Sequence, residues 1–282
     1  MRPIPRFWAS QEDTVDTPRG RFRLKMWGWS HTSLAEAAGV ARDRIALLVR
    51  EGGTLPDDQY YPRAPLREEI LEEIHGPDGA LLGVITRNRY GAAVLNTDAV
   101  LIADVDVAEA RTRTMSGLLG RLFGRPSTPA ASQEDQARAV IQRFAAAHPE
   151  WGVQVHRTFG GFRVMVTGTG AGPTNPVAAY ILKELSSDPI YVTLCATHET
   201  YRARLTPKPW RIGLRAMNDS WPRSPEAQQQ AEQWIARYQQ LSSGYAVCRR
   251  EVVLGPPPSP DEALVLSRHD ELTRADSALP LA

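Results

Sequence analysis

The stretch AVLIADVDVAEA, Ala99–Ala110, predicts a buried β-strand that ends in two acidic side chains. Side chains of a strand point alternately to its two faces, so Asp104 and Asp106 share one face. The opposite face carries only aliphatic residues, namely Leu101, Ala103, Val105 and Val107. Neighbouring carboxylates repel each other unless a cation joins them, and Mg²⁺ or Mn²⁺ prefers such oxygen ligands. We therefore expect Asp104 and Asp106 to bind a divalent metal ion; the alternative is two solvated aspartates at a strand end.

The composition limits the class of protein. The chain has 282 residues, 42% of them hydrophobic, which is enough for a sizeable core. Its formal net charge of +1 excludes a histone-like nucleic-acid binder but allows a local basic groove. Cys195 and Cys248 form no CxxC pair, so we expect neither a disulfide framework nor a zinc knuckle. Without an apolar run of ~20 residues or an apolar signal core, we expect a cytoplasmic protein with no membrane contact.

Stretches rich in Gly, Pro and Ser suggest where one part of the chain ends and the next begins. We expect a flexible N-terminus over residues 1–25, a single α+β domain over 26–254 and a C-terminal tail over 255–282. The catalytic core of that domain would cover about residues 85–215. Residues 116–132, rich in Gly, Pro and Ser, would form a mobile insertion within it.

Periodicity and capping signals predict both helices and strands. The segments expected to be helical are 33–52 (one or two helices), 64–76, 132–150, 175–188 and 224–244. The segments expected to contain strands are 76–107, with a hairpin turn at LNTDAV, then 151–168 and 189–196. This order predicts an α+β fold with a mixed or antiparallel sheet.

The segment around Gly160–Gly161 predicts a β-hairpin with a two-residue turn. Such a turn pairs Thr158 with Arg163 and His156 with Met165. His156, Thr158 and Arg163 would share one face and could form a wall that binds an anion or phosphate, since arginine offers several donors in a fixed planar geometry. The alternative is a solvent-exposed sheet face that binds no ligand. For His156 considered alone, we favour this alternative.

The tract YRARLTPKPWRIGLR, residues 201–215, is basic and contains no acidic residue. Arg202 and Arg204 alternate onto one strand face, and the prolines that follow hold the chain extended around Lys208. Trp210 lies beside these bases, so the tract could grip phosphate and stack on a nucleobase. The alternative is a solvated loop with a partly buried tryptophan.

Together, VLIADVDV, RTFGGFRVMV and DPIYVT…YRARLTPKPWR resemble, over about residues 85–215, the motifs of the archaeo-eukaryotic primase superfamily. The resemblance implies an RRM-like catalytic sheet with flanking helices and an N-terminal α/β unit. It implies Asp104 and Asp106 as metal ligands and Asp188 as a third carboxylate, for which Glu199 is a rival. The residues that would contact the nucleotide are Thr158, Gly160, Gly161, Arg163, Arg202, Arg204 and Lys208. Arg163 stands where the family has a histidine.

These motifs predict a metal-dependent nucleotidyltransferase that uses Mg²⁺ or Mn²⁺ and a nucleoside triphosphate. The acceptor is open, with DNA and RNA among the candidates. One alternative is a degenerate protein that binds nucleotide or nucleic acid without catalysis. Another is a DxD-type glycosyltransferase, although few βα units precede the motif. Separately, residues 33–52 resemble a helix-turn-helix in which Arg42 and Arg44 could reach DNA, or they form an ordinary packed helix.

Overall fold

The computed structural model describes residues 1–17, 20–50, 65–107, 132–218 and 220–282. Over these ranges the chain is an α+β protein with six α-helices and three antiparallel sheets. The expected α+β class with an antiparallel sheet is therefore confirmed. The expected mobile insertion at 116–132 lies outside the described residues, apart from its last residue. None of the helices in these ranges combines the length and apolar character needed to cross a bilayer.

The N-terminal unit is a β-hairpin covered by a helix. Strands β1 (Phe7–Thr17) and β2 (Gly20–Ser30) pair antiparallel, and α1 (Leu34–Arg50) packs on them. The contact is close at Gly28, where a Cβ atom would lie 2.1 Å from the carbonyl oxygen of Ala37. Residues 1–25, expected to lack regular structure, thus contain β1 and part of β2 instead.

Helix α1 is continuous through the Ala-Gly-Val segment in which a helix-turn-helix would turn. Arg44, one of the two residues considered for reading DNA, donates instead to the carbonyl oxygen of Trp27 over 2.7 Å. Its guanidinium also lies 4.9 Å from the ring centroid of Trp29. Within the described residues, this segment is therefore a single packing helix.

The first four-stranded sheet has the order β3-β4-β5-β9. Its strands are β3 (Glu69–His75), β4 (Leu81–Arg87), β5 (Ala93–Thr97) and β9 (Tyr201–Arg204). The helix predicted over 64–76 is wrong, because β3 pairs along β4 and places Ile74 in the core. The turn predicted at LNTDAV does not close a hairpin, since β5 pairs with β4 and β9 and the next strand belongs to another sheet.

The second four-stranded sheet has the order β10-β7-β8-β6. Its strands are β6 (Leu101–Asp106), β7 (Gly152–Thr158), β8 (Gly161–Thr167) and β10 (Cys248–Leu254). Helix α2 (Gln133–Ala147) covers one face, where Arg138 lies 4.7 Å from the ring centroid of Phe162. Helix α6 (Pro260–Thr273) covers the other face, so residues 255–282 contribute Val265 and Leu266 to the hydrophobic core.

Three further helices complete the described chain: α3 (Pro176–Glu184), α4 (Pro189–His198) and α5 (Pro225–Ser242). The strand predicted over 189–196 is wrong, because this apolar segment forms α4. The Asp188 side chain caps α4 by accepting from the Ile190 N–H over 2.9 Å, and Pro189 fits the first turn. Tyr191, one turn into the helix, donates to the carbonyl oxygen of Ile102 in β6 over 2.8 Å. Helix α4 is therefore fixed against the strand that carries the aspartates.

Candidate functional site

Three carboxylates gather at the end of β6. Asp104 and Asp106 lie two residues apart on one face of the strand, and Asp188 lies beside them at the start of α4. The backbone N–H of Asp188 donates to the carbonyl oxygen of Asp104 over 2.9 Å. Partial burial raises the pKa of Asp106, and the negative charges of Asp104 and Asp188 raise it further. The cluster therefore has the mutual repulsion that a bound cation would relieve.

The two candidates for the third carboxylate lie at opposite ends of α4. Asp188 caps the first turn, whereas Glu199 follows the last turn in a left-handed backbone conformation. The charge of Glu199 acts on the N-terminal ammonium group of Met1. The geometry thus places Asp188 with Asp104 and Asp106, and it separates Glu199 from them by the length of the helix.

A cationic group faces the carboxylates. Partial burial lowers the pKa of Lys208, and so do the charges of Arg204 and Arg211, while Asp104 and Asp106 act in the opposite direction. Burial also lowers the pKa of Arg204, followed by the charge of Arg163. The buried Nε of Arg204 has no hydrogen-bond partner among the described residues. The positive charges of these residues repel one another, and an anionic ligand would reduce that repulsion.

Two partly exposed aromatic rings accompany the cations. Trp210 is 53% exposed, and the Lys208 Nζ lies 5.7 Å from its ring centroid. Phe159, at the tip of the β7–β8 hairpin, has the Arg211 guanidinium 4.0 Å from its ring centroid. The sequence placed Arg211 in the basic tract but not among the site residues. Its approach to the carboxylates depends on the short 3₁₀ helix Pro209–Ile212, which spacing alone does not reveal.

The β7–β8 hairpin has a different register from the predicted one. His156, not Thr158, pairs with Arg163, and Gln154 pairs with Met165. The two residues between the strands are Phe159 and Gly160, one position earlier than predicted. Gly161 begins β8 and lies against β6, where a Cβ atom would be 2.0 Å from the carbonyl oxygen of Val105. Gly161 therefore lets the hairpin lie close to the aspartate-bearing strand, and the Gly160 carbonyl oxygen accepts from the Val107 N–H over 2.9 Å.

Arg163 is buried beneath the site, with 4% of its surface exposed. Its Nη1 donates to the carbonyl oxygen of Arg204 and to Nε2 of His269, each over 3.0 Å. The residue that stands at the family's histidine position therefore joins β8, β9 and α6. Thr158 ends β7 and pairs with Cys248 in β10, on the far side of β8 from the aspartates.

Arg202 points to a neighbouring cleft and not to the carboxylates. Its Nη2 donates to both carboxylate oxygens of Glu68, over 2.8 and 2.9 Å. The cleft has a volume of about 550 Å³, and Tyr90, His198 and Arg204 also line it. Arg204 thus lies between this cleft and the carboxylates, whereas the charge of Arg202 is balanced by Glu68.

The sequence did not anticipate a buried polar network under α6. Asp270 accepts at Oδ1 from His156 Nε2 and from His269 Nδ1, each over 2.8 Å. Both imidazoles are fully buried, and the buried thiol of Cys248 lies beside them. Of these residues, His156 and Cys248 were considered in the sequence, but His269 and Asp270 were not. In the sequence, only the adjacency of His269 and Asp270 points to this network, because its other histidine, His156, is 114 residues away from Asp270.

Comparison of the chain with protein-family models, with curated proteins and with solved structures finds no match.

Proposed function

We propose that the chain is a metal-dependent nucleotidyltransferase of primase-polymerase type. The observation that carries this proposal is the convergence of Asp104, Asp106 and Asp188 opposite Lys208, Arg204 and Arg211. Carboxylate oxygens are the ligands that Mg²⁺ and Mn²⁺ prefer, and such an ion would relieve the repulsion between Asp106 and its acidic neighbours. When bound there, the ion would neutralise triphosphate charge and lower the pKa of an attacking hydroxyl.

The cationic residues supply the other half of the site. Lys208 and Arg211 lie close enough to the carboxylates for their charges to act on Asp106. They would hold the triphosphate and stabilise the negative charge that develops on the departing pyrophosphate. Arg204, whose buried Nε lacks a partner among the described residues, would add a further donor. Trp210 offers an exposed face on which a nucleobase can stack.

The architecture suits this assignment. We equate the antiparallel sheet β10-β7-β8-β6, covered by α2 and α6, with the RRM-like catalytic sheet of the primase superfamily. We equate the β1–β2 hairpin and α1 with the expected N-terminal α/β unit. All pairings between the described strands are antiparallel, which argues against the parallel nucleotide-binding half of a DxD glycosyltransferase.

A second candidate is a protein of the same fold that binds nucleotide without turnover. The observation that favours it is the burial of Arg163, which uses Nη1 on His269 and on the Arg204 carbonyl. The side chain at the family's histidine position is thus engaged within the protein. Under this hypothesis nucleotide binding persists but no phosphodiester product forms.

The test is an incorporation assay with the purified full chain. Radiolabelled NTPs or dNTPs are incubated with Mn²⁺ or Mg²⁺ and with single-stranded or primed DNA and RNA. We expect a metal-dependent labelled product, which the double variant Asp104→Asn, Asp106→Asn reduces at least about 100-fold. Glu199→Gln, at the other end of α4, is the matched acidic control and retains activity.

Nucleotide binding is measured in parallel by calorimetry. Binding without any product would support the second candidate. A chain that binds no nucleotide in the presence of either metal, or a double variant with full turnover, would refute the proposed chemistry.

A further inference from the structure

We propose that His156, Cys248 and His269 form a buried binding site for one zinc-class metal ion, separate from the carboxylate cluster. One nitrogen from each histidine and the cysteine sulfur all lie within 4.8 Å of one another. The three side chains come from β7, β10 and α6, and each is fully buried. The ion would therefore join the C-terminal helix to two strands of the second sheet.

Each histidine adopts a tautomer in which one ring nitrogen keeps a lone pair that can bind a metal ion. Because a carboxylate only accepts, Asp270 Oδ1 fixes the proton of His156 on Nε2 and that of His269 on Nδ1. This leaves lone pairs on His156 Nδ1 and His269 Nε2. A carboxylate that holds the second nitrogen of a histidine is the usual outer support of metal-binding imidazoles. Here one carboxylate oxygen supports two of them.

His156 Nδ1 supplies an independent observation. This nitrogen is buried, and it has no hydrogen-bond partner among the described residues. Leaving a buried acceptor unpaired is unfavourable, and a metal ion would satisfy it. His269 Nε2 accepts from Arg163 Nη1 over 3.0 Å, so loading of the ion requires Arg163 to release that nitrogen. Arg163 Nη1 also donates to the Arg204 carbonyl oxygen, and this second bond holds Arg163 near β9.

The donor set selects the class of metal. Two imidazole nitrogens and one sulfur suit Zn²⁺, whereas Mg²⁺, Mn²⁺ and Ca²⁺ prefer oxygen. A cysteine binds a metal as its thiolate. On binding, the S–H bond breaks, a sulfur–metal bond forms and the proton passes to solvent.

A route from solvent reaches the supporting carboxylate. A surface cavity of about 610 Å³ is lined by Asp270, Arg250 and Arg274. Arg250 Nη1 donates to Asp270 Oδ2 over 3.1 Å and balances the charge of the carboxylate on its outer side. The cavity therefore brings solvent to the outer side of Asp270, the residue that supports both histidines.

The test is a titration of the reduced, chelator-treated full chain with Co²⁺ as a spectroscopic probe for Zn²⁺. We expect the near-ultraviolet charge-transfer absorption of a thiolate ligand to saturate at one Co²⁺ per chain and to disappear with one equivalent of Zn²⁺, since Co²⁺ at the carboxylate cluster does not give this absorption. Cys248→Ser abolishes this absorption. Cys195→Ser changes the other buried free cysteine and keeps it. Asp270→Asn lowers the Zn²⁺ affinity about 10- to 100-fold, as expected for a positioning residue.

The wild-type result is decisive even where a variant does not fold. X-ray absorption of the Zn²⁺-loaded chain should show one sulfur at about 2.3 Å and two nitrogens at about 2.0–2.1 Å. A shell of oxygen and nitrogen alone, or the absence of the charge-transfer absorption, would overturn the proposal. The variant Asp104→Asn, Asp106→Asn should keep the thiolate charge-transfer absorption of the wild type with Co²⁺. Loss of binding in that variant would assign the ion to the carboxylate cluster instead.

Discussion

The backbone N–H of Asp188 donates to the carbonyl oxygen of Asp104 over 2.9 Å, which fixes the cap of α4 beside the first aspartate of β6. The hydroxyl of Ser187 reinforces this link by donating to the same carbonyl oxygen over 3.1 Å. The third carboxylate is thus held by main-chain geometry. Residues 84 positions apart in the sequence become neighbours in the candidate site.

Asp188→Asn should separate the role of this residue in the site from its role in the fold. Asparagine accepts from the Ile190 N–H as well as aspartate does, so the stability of α4 should be unchanged. The loss of the charge should weaken Mn²⁺ binding, measured by calorimetry, about 10-fold or more. Glu199→Gln should leave the affinity unchanged. A larger effect of Glu199→Gln than of Asp188→Asn would contradict the assignment.

Asp106→Asn should stabilise the metal-free protein at neutral pH. Burial and the charges of Asp104 and Asp188 raise the pKa of Asp106, so its ionisation opposes folding. The penalty is absent in acid, where folded and unfolded states are both protonated, and it grows as the pH rises above the ordinary aspartate value. Thermal unfolding in EDTA should show a higher Tm for the variant at pH 7 than for the wild type.

The difference in Tm should disappear near pH 3. The exposed residue Asp13 provides the control, because Asp13→Asn should not reproduce the gain. An Asp106→Asn variant with a lower Tm at pH 7 would show that the carboxylates do not repel one another.

Arg163→Lys should destabilise the protein by about 2–4 kcal/mol. Both bonds come from Nη1, and the lysine side chain is one bond shorter than the path to that atom, so the buried Nε2 of His269 or the carbonyl oxygen of Arg204 loses its donor. Urea unfolding measures the change. The conservative control Arg42→Lys, on the exposed face of α1, should cost less than about 0.5 kcal/mol. Equal stabilities of the two variants would contradict the supporting role of Arg163.

The stability of the chain should fall in mild acid partly because of His198. Burial lowers the pKa of this histidine, and so do the charges of Arg202 and Arg2, against the opposing effect of Glu68. The unfolded chain then binds the proton first, so stability is lost as the pH falls below about 6.5. Urea unfolding at pH 7.5 and 5.5 should show a smaller loss for His198→Gln than for the wild type. His31→Gln, at an exposed position, should retain the full loss.

Two glycines should respond oppositely to alanine. Gly39 lies within α1, where a Cβ atom would meet only a side-chain nitrogen of Arg42 at 3.8 Å, so Gly39→Ala should stabilise by about 0.5–1 kcal/mol. Gly28→Ala should destabilise by about 2 kcal/mol or more, because its Cβ would overlap the Ala37 carbonyl oxygen. Chemical denaturation measures both. Destabilisation by Gly39→Ala would indicate the turn of a helix-turn-helix.

Local sequence signals were sufficient where an element depends on its own residues. The alternation around Asp104 and Asp106 predicted β6, and the capping residues Ser132 and Asp135 predicted the start of α2, where the structure shows a capping box. The sequence also indicated that the two aspartates share a face. Whether they serve catalysis remains a prediction.

The predictions of secondary structure were wrong where tertiary contacts or a helix cap outweigh the intrinsic propensity of the residues. The segment Pro189–His198 is apolar and rich in β-formers, yet the Asp188 cap and Pro189 start a helix that packs on β6. The segment Glu69–His75 has helix-forming glutamates, yet pairing with β4 makes it a strand. The His156–Asp270 contact joins residues 114 apart, and no spacing rule identifies such a pair.

The position of Arg163 has a consequence for how the chain matures during translation. The aspartates and Arg204 emerge from the ribosome well before His269, the α6 partner of the Arg163 guanidinium. Domains generally form as their chains are synthesised. A nascent chain that stops before residue 260 therefore carries all the proposed catalytic groups but not the helix that holds their support. Under the proposed function, the support of the catalytic groups would therefore be completed last, when the final helix docks.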